Sequence, residues 1–131
     1  MIVIDASALL EMLLQGPLAG QVAARVSGHV RALHVPHLVD LEICQVLRRF
    51  ALRNEISVAR ATQALADFHQ LALVRHPHFP LLQAIWSMRE NATAYDASYL
   101  ALAEALDATL LTCDRGLASV PGYRDRVDLV R

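Results

Sequence analysis

The chain has 131 residues, 55% of them hydrophobic and 19% charged, with a formal net charge of −1. That length and balance suit one domain, residues 1–131, with a sizeable core, and argue against disorder. No apolar run approaches the ~18 residues a membrane span needs, and a strand candidate begins at residue 2 without a basic lead-in, so a cytoplasmic protein without a signal peptide is expected.

Ile2-Val3-Ile4 is a β-branched apolar run of the kind found in strands buried on both faces. Asp5 ends it, and Ala6 to Leu14 suits a helix, so Asp5 falls at the carboxyl end of a strand and the start of a helix. In open α/β sheets that edge binds ligands, although an aspartate there can also serve simply as a helix cap. Gly16-Pro17 punctuates, Leu18 to Val26 is a short helical pattern closed by Ser27-Gly28, and Ala32 to Val35 reads as a second strand. From His37 to Arg53 there is neither Gly nor Pro, and Val39, Ile43, Val46 and Phe50 recur at helical spacing. A further helix is expected from Ser57 to about Leu71, a third strand over Leu71 to Val74, and a helix from about Leu81 to Glu90 after the break at His76-Pro77-His78-Phe79-Pro80. Thr93 can cap a helix running to Asp107. Ala108 to Thr112 then reads as a strand followed by Asp114, and Val127 to Val130 as a last strand at a sheet edge. Strands alternating with helices predict an α/β fold with a mainly parallel sheet.

Two strand-to-helix junctions therefore carry an aspartate, Asp5 and Asp114. In a parallel sheet all carboxyl ends lie on one edge, so the two can approach if their strands are close. Glu42 sits three residues after Val39 and four before Val46, on the apolar stripe of its helix, where an unpaired carboxylate is costly. An arginine partner or a bound cation would relieve it. Asp40, in the first turn, is explained by the helix dipole. Asp96, three residues after Thr93, is placed for a capping box or for the same site. Four neighbouring carboxylates would raise one another's pKa, and a divalent cation resolves that conflict. An all-oxygen set favours Mg²⁺ or Mn²⁺ over Zn²⁺, with one or two ions able to activate water and neutralise a phosphodiester.

Asp5-Ala-Ser-Ala, Glu42, Tyr95-Asp96-Ala-Ser-Tyr-Leu-Ala-Leu-Ala and Leu110-Leu-Thr-Cys-Asp114-Arg-Gly-Leu, in this order and spacing, resemble the PIN domain in its compact VapC-type toxin form. The resemblance implies a three-layer α/β/α sandwich, usually dimeric. It also implies a Mg²⁺- or Mn²⁺-dependent endoribonuclease acting on RNA such as tRNA or ribosomal RNA, held inactive by a cognate VapB-type antitoxin. Asp5, Glu42, Asp96 and Asp114 match the family's acidic positions, and Ser7 and Thr112 its accompanying hydroxyls. For Ser7 and Thr112 a merely local hydrogen bond is an equal reading.

All twelve basic residues are arginine. If four acids are neutralised by metal, nine remain against twelve arginines, about +3, which permits phosphate binding. Arg48, Arg49 and Arg53 close the long helix, where cations suit the dipole or contact phosphate. Cys44 and Cys113 fit no metal or disulfide spacing and are expected as buried small side chains, Trp86 and Met88 as core, and His76-x-His78 as part of a polar loop; His29, His34, His37 and His69 share no spacing. Two other functions compete with the nuclease. A catalytically silent interaction module would not need Glu42 on a core stripe, and a receiver-like domain would want a lysine, which this chain lacks.

Overall fold

The computed structural model describes residues 1–28 and 33–131. Five strands, β1 (Ile2–Ile4), β2 (Leu33–Pro36), β3 (Leu73–His76), β4 (Thr109–Thr112) and β5 (Val127–Leu129), form one fully parallel sheet in the order β3-β2-β1-β4-β5. Helices α1 (Ala6–Leu14), α2 (Ala19–Val26), α3 (Leu38–Leu52) and α4 (Val58–His69) cover one face, and α5 (Leu82–Ser87), α6 (Ala94–Ala105) and α7 (Arg115–Ala118) the other.

The pleat of the central strands separates the two cores. Ile2 and Ile4 of β1 and Leu111 of β4 join the α1–α4 side, whereas Val3 and Leu110 join the α5–α7 side. Strands buried on both faces are the condition under which a continuous apolar run such as Ile-Val-Ile is stable. The result is the expected three-layer α/β/α sandwich.

β1 lies at the point where the winding reverses: the chain proceeds outward through β2 and β3, then returns to place β4 on the other side of β1. The helix after β1 lies on one face and the helix after β4 on the other, which opens a crevice at the carboxyl ends of these two strands. Ile4 pairs with Leu111, and the Asp5 N–H donates to the Leu111 carbonyl at 3.2 Å, so Asp5 and the Thr112–Asp114 turn flank that crevice.

Element boundaries shift in informative ways. β3 spans Leu73–His76 rather than Leu71 to Val74, because Leu71 is taken up in the turn that closes α4, its N–H donating to the Phe68 carbonyl. β3 is an edge strand, so hydropathy alone misplaces it: Arg75 and His76 belong to it, and Arg75 pairs with Asp40. In place of one helix to Glu90, a 3-10 turn over Phe79–Leu81 precedes α5, which ends at Ser87 and unwinds through i to i+3 bonds at Met88 and Arg89. β2 runs Leu33–Pro36; the expected start at Ala32, like His29, lies outside the described residues. Among the described residues no helix is long and apolar enough to cross a membrane.

Three expectations for single residues are corrected. Cys44 is exposed, on the outward side of α3, and Cys113 is only half-buried. Trp86 is 68% exposed, while Met88 is buried. His34, which shares no spacing with the other histidines in the sequence, meets His76 across β2 and β3, Nδ1 and Nε2 sharing a hydrogen bond at 2.9 Å, and His78 Nε2 accepts from the Leu38 N–H at the start of α3. His76 thus belongs to the edge strand β3 and not to the expected polar loop, which begins after it and holds His78.

Candidate active site

Asp5 leaves β1 in extended conformation (φ −94°, ψ 173°) and caps α1, its Oδ1 accepting from the Ala8 N–H at 3.0 Å. Ser7 Oγ donates to the same oxygen at 2.7 Å, and Thr112 Oγ1 donates to Oδ2 at 2.6 Å. Both hydroxyls also accept from the turn after β4: Ser7 from the Cys113 N–H and Thr112 from the Asp114 N–H, each at 2.9 Å. Ser7 and Thr112 thus tie Asp5 to the segment that carries Asp114. Asp114 caps α7 through the Gly116 N–H at 2.8 Å. The capping reading of both aspartates holds, and it places their carboxylates at the crevice.

Glu42 approaches from α3. The fully buried stripe of that helix is Val39, Ile43 and Leu47; Glu42, Val46 and Phe50 form the half-buried ridge beside it. Among the described residues no arginine meets Glu42. Its Oε1 accepts instead from the phenol of Tyr99 on α6. Asp96, one turn before Tyr99, receives the cap of Thr93 only at its backbone N–H, and its carboxylate makes no hydrogen bond among the described residues. The capping-box role considered for that carboxylate is therefore not used. Asp40 turns away from all of these and forms a two-pronged ion pair with Arg75 at 2.9–3.0 Å.

Asp5, Ser7, Glu42, Asp96, Tyr99 and Asp114 line one cavity of about 460 Å³, which continues over Leu10, Leu14, Val46 and Phe50. α1, α3, α6 and α7 all begin at the carboxyl edge of the sheet, so their positive dipole ends converge on this cavity and favour negative charge there. That benefit is incomplete. Burial, resisted by the bonds from Thr112, Ala8 and Ser7 and assisted by the charge of Asp114, raises the Asp5 carboxyl from 3.8 to about 6. Glu42 is likewise raised by burial and by Asp5 and Asp96, against the lowering bond from Tyr99. Asp96 is raised by burial and by Asp114. The carboxylates sense one another, which is the condition under which a cation is bound in preference to protons.

The donor set is carboxylate oxygen without histidine or cysteine, in keeping with a hard divalent ion. Among the described residues, no three such side chains converge closely enough on one point to hold an ion as they stand.

Tyr99 has no role in the sequence reading, and Arg49, expected there only as a helix-dipole partner or phosphate contact, joins it in the lining. Arg49 shares the cavity, and no carboxylate lies within ion-pair distance of it among the described residues. It follows Glu42 by seven residues, two helical turns, and that spacing was the available signal. Tyr99 follows Asp96 by three, which places both on one face of α6.

Comparison with known proteins bears on the fold and the family. The family model described as the PIN domain matches residues 2–123. Ribonuclease VapC9 of Mycobacterium tuberculosis is 48% identical over 118 residues, covering 90% of this chain and 89% of that protein. Among solved structures, PAE2754 from Pyrobaculum aerophilum superposes with a TM-score of 0.75 at 25% identity, covering 98% of this chain and 83% of that one. VapBC2 from Rickettsia felis, bound to a DNA fragment from its promoter, superposes with a TM-score of 0.74 over the whole of both chains at 12% identity, a likeness of fold. With the model spanning nearly the whole sequence and a VapC ribonuclease identical at almost half of the aligned positions, the chain belongs to the PIN-domain family, in its VapC group.

Proposed function

We propose that residues 1–131 act as a single cytoplasmic domain that hydrolyses RNA phosphodiester bonds with the help of Mg²⁺ or Mn²⁺, as the toxin of a toxin–antitoxin pair. The observation that carries this reading is one cavity, at the reversal point of the sheet, lined by Asp5, Glu42, Asp96 and Asp114, of which the first three have raised pKa values, with Glu11 further along α1 engaged by the Leu18 N–H. Asp5, Glu42, Asp96 and Asp114 would hold one or two ions, with side-chain rotation bringing their oxygens together. A bound ion supplies charge neutralisation at the phosphodiester and a water of lowered pKa. Ser7 and Thr112 keep both oxygens of Asp5 fixed in direction. Arg49, without an ion-pair partner among the described residues, suits a backbone phosphate flanking the scissile bond. The RNA is taken to be tRNA or ribosomal RNA.

The same cavity supports inhibition by an antitoxin. Of its acidic residues, Asp5 caps α1 and Glu42 lies in the second turn of α3, and its apolar ones follow along both helices, Leu10 and Leu14 on one and Val46 and Phe50 on the other. A peptide carrying an arginine or lysine beside apolar side chains matches that sequence of surfaces. Phe79, Leu82 and Trp86, 83%, 50% and 68% exposed on the 3-10 turn and α5, provide the apolar contact proposed for a homodimer.

The second reading, a catalytically silent module that binds protein through the same cavity, draws on the carboxylates not converging on one point. Chelation decides between them. Purified protein should cleave RNA with Mg²⁺ or Mn²⁺, stop in excess EDTA and resume when the ion is restored, and D5N should be inactive while retaining its circular dichroism spectrum. Cleavage that persists without metal, or that D5N leaves untouched, sinks the metal-dependent reading; absent cleavage with intact partner binding favours the silent module.

A further inference from the structure

Tyr99 is 2% exposed, yet its phenol reaches the cavity wall and donates to Oε1 of Glu42. We infer that Tyr99 is a positioning residue: by holding one oxygen of Glu42 it presents the other to a divalent cation and so sets the cation affinity of the site without touching the ion. The inference rests on the metal-dependent reading above.

Three features of the contact support it. Glu42 has no other side-chain hydrogen bond or ion pair among the described residues, so Tyr99 alone restrains a carboxylate with three rotatable bonds. Leaving such a side chain free would charge metal binding with the entropy of ordering it. The contact also joins two elements on opposite faces of the sheet. α6 contributes Asp96 directly and, one turn later, Tyr99, which fixes the acid on α3; the placement of Glu42 relative to Asp96 is thereby set by a single helix. Finally, Asp5 is held in the same manner by the hydroxyls of Ser7 and Thr112, so the two most buried acids of the site are each oriented by a neutral O–H donor. A donor without charge orients the carboxylate and leaves its negative charge to the ion, whereas an arginine in the same place would compete with it.

Partners that orient metal-binding carboxylates are worth roughly 10- to 100-fold in metal affinity when removed. Tyr99→Phe keeps the ring and deletes only the donor. Mn²⁺ binding followed by calorimetry should weaken at least about 10-fold in Y99F, with an unchanged circular dichroism spectrum and with cleavage recovering at raised Mn²⁺. In the Glu42→Gln background the same substitution should produce no further weakening, because Tyr99 acts through Glu42. Equal affinity in Y99F and the parent, whatever the change in Tm, overturns the inference, as does an undiminished effect in E42Q. Should Y99F not fold, protein labelled with 3-fluorotyrosine serves instead: Mg²⁺ should shift the fluorine resonance of Tyr99, and a resonance indifferent to Mg²⁺ overturns the proposal. A parent protein that binds no Mn²⁺ defeats the metal-dependent reading itself, whereas a parent that binds and a Y99F variant that binds equally defeat only the role of Tyr99.

Discussion

Asp5 shows how one residue can satisfy a structural and a chemical demand together. As the cap of α1 its carboxylate is worth about 1 kcal/mol, and asparagine caps as well as aspartate does. Its charge, however, is a burden at 4% exposure beside Asp114. With the folded-state pKa raised from 3.8 to about 6, the folded protein keeps a proton that the unfolded chain releases over that interval. The stability this group contributes is therefore fully present below about pH 4 and is lost as pH rises through about 6, an amount on the order of 3 kcal/mol from the two-unit shift. Metal-free protein should lose thermal stability relative to D5N across that window, and Mg²⁺ or Mn²⁺ at pH 7 should raise the Tm of the parent by more than that of D5N. Paired melting curves at pH 4, 5, 6 and 7 measure this directly; a parent that gains stability over D5N as pH rises would contradict the burial argument.

At the scale of an element, α3 separates two acids that stand two residues apart and hence point about 200° apart around the axis. Asp40 reaches Arg75 on β3, in an ion pair about two-fifths exposed whose contribution solvent limits to at most ~1 kcal/mol. Glu42 faces the cavity. E42Q should abolish metal-dependent cleavage with little loss of stability, or a gain, because burial and the charges of Asp5 and Asp96 disfavour its ionised form. D40N should cleave near normally and cost up to ~1 kcal/mol. RNA cleavage and thermal unfolding of both variants check the assignment, and an inactive D40N beside an active E42Q would overturn it.

The same helix marks how far the sequence could be read. Glu42 is visible as a charge among apolar residues at helical spacing, although the true core stripe runs through Val39, Ile43 and Leu47 and Glu42 occupies the neighbouring ridge. Helical spacing gives a direction around the axis; it does not give the neighbour, so an arginine and a tyrosine were indistinguishable as partners for Glu42. Arg49 is legible in direction by the same rule, but the helix dipole offers a slightly better local account, because nothing in the sequence locates it beside the acids. The buried parallel strands were readable because Ile2–Ile4 and Leu110–Leu111 are apolar on both faces, whereas β3, half-exposed at the edge, obeys no such pattern and was displaced by two residues. Trp86, apolar in a helical pattern, reads as core although it is exposed, because hydropathy records the cost of exposure and not the partner that could remove it.

On the scale of the whole molecule, four helices beginning at one edge of a parallel sheet gather acids that lie far apart in sequence, from residue 5 to residue 114. The field of that edge attracts cations generally, so the proposed metal ion and the guanidinium of an antitoxin are rivals for the same carboxylates. Their rivalry has a cellular consequence. Expression of the chain alone in its host should arrest growth, and co-expression of its cognate antitoxin should relieve the arrest. D5N and E42Q should be tolerated without the antitoxin yet still capture it, because the apolar wall formed by Leu10, Leu14, Val46 and Phe50 is unchanged in both. A charge placed on that wall, as in Val46→Asp, should reverse the pattern: cleavage retained, antitoxin capture lost, and arrest no longer relieved by co-expression. Growth curves together with pull-down of the tagged antitoxin measure both halves. Harmless expression of catalytically active protein would count against the toxin role, and antitoxin capture by Val46→Asp equal to that of the parent would move the inhibitory contact off this cavity.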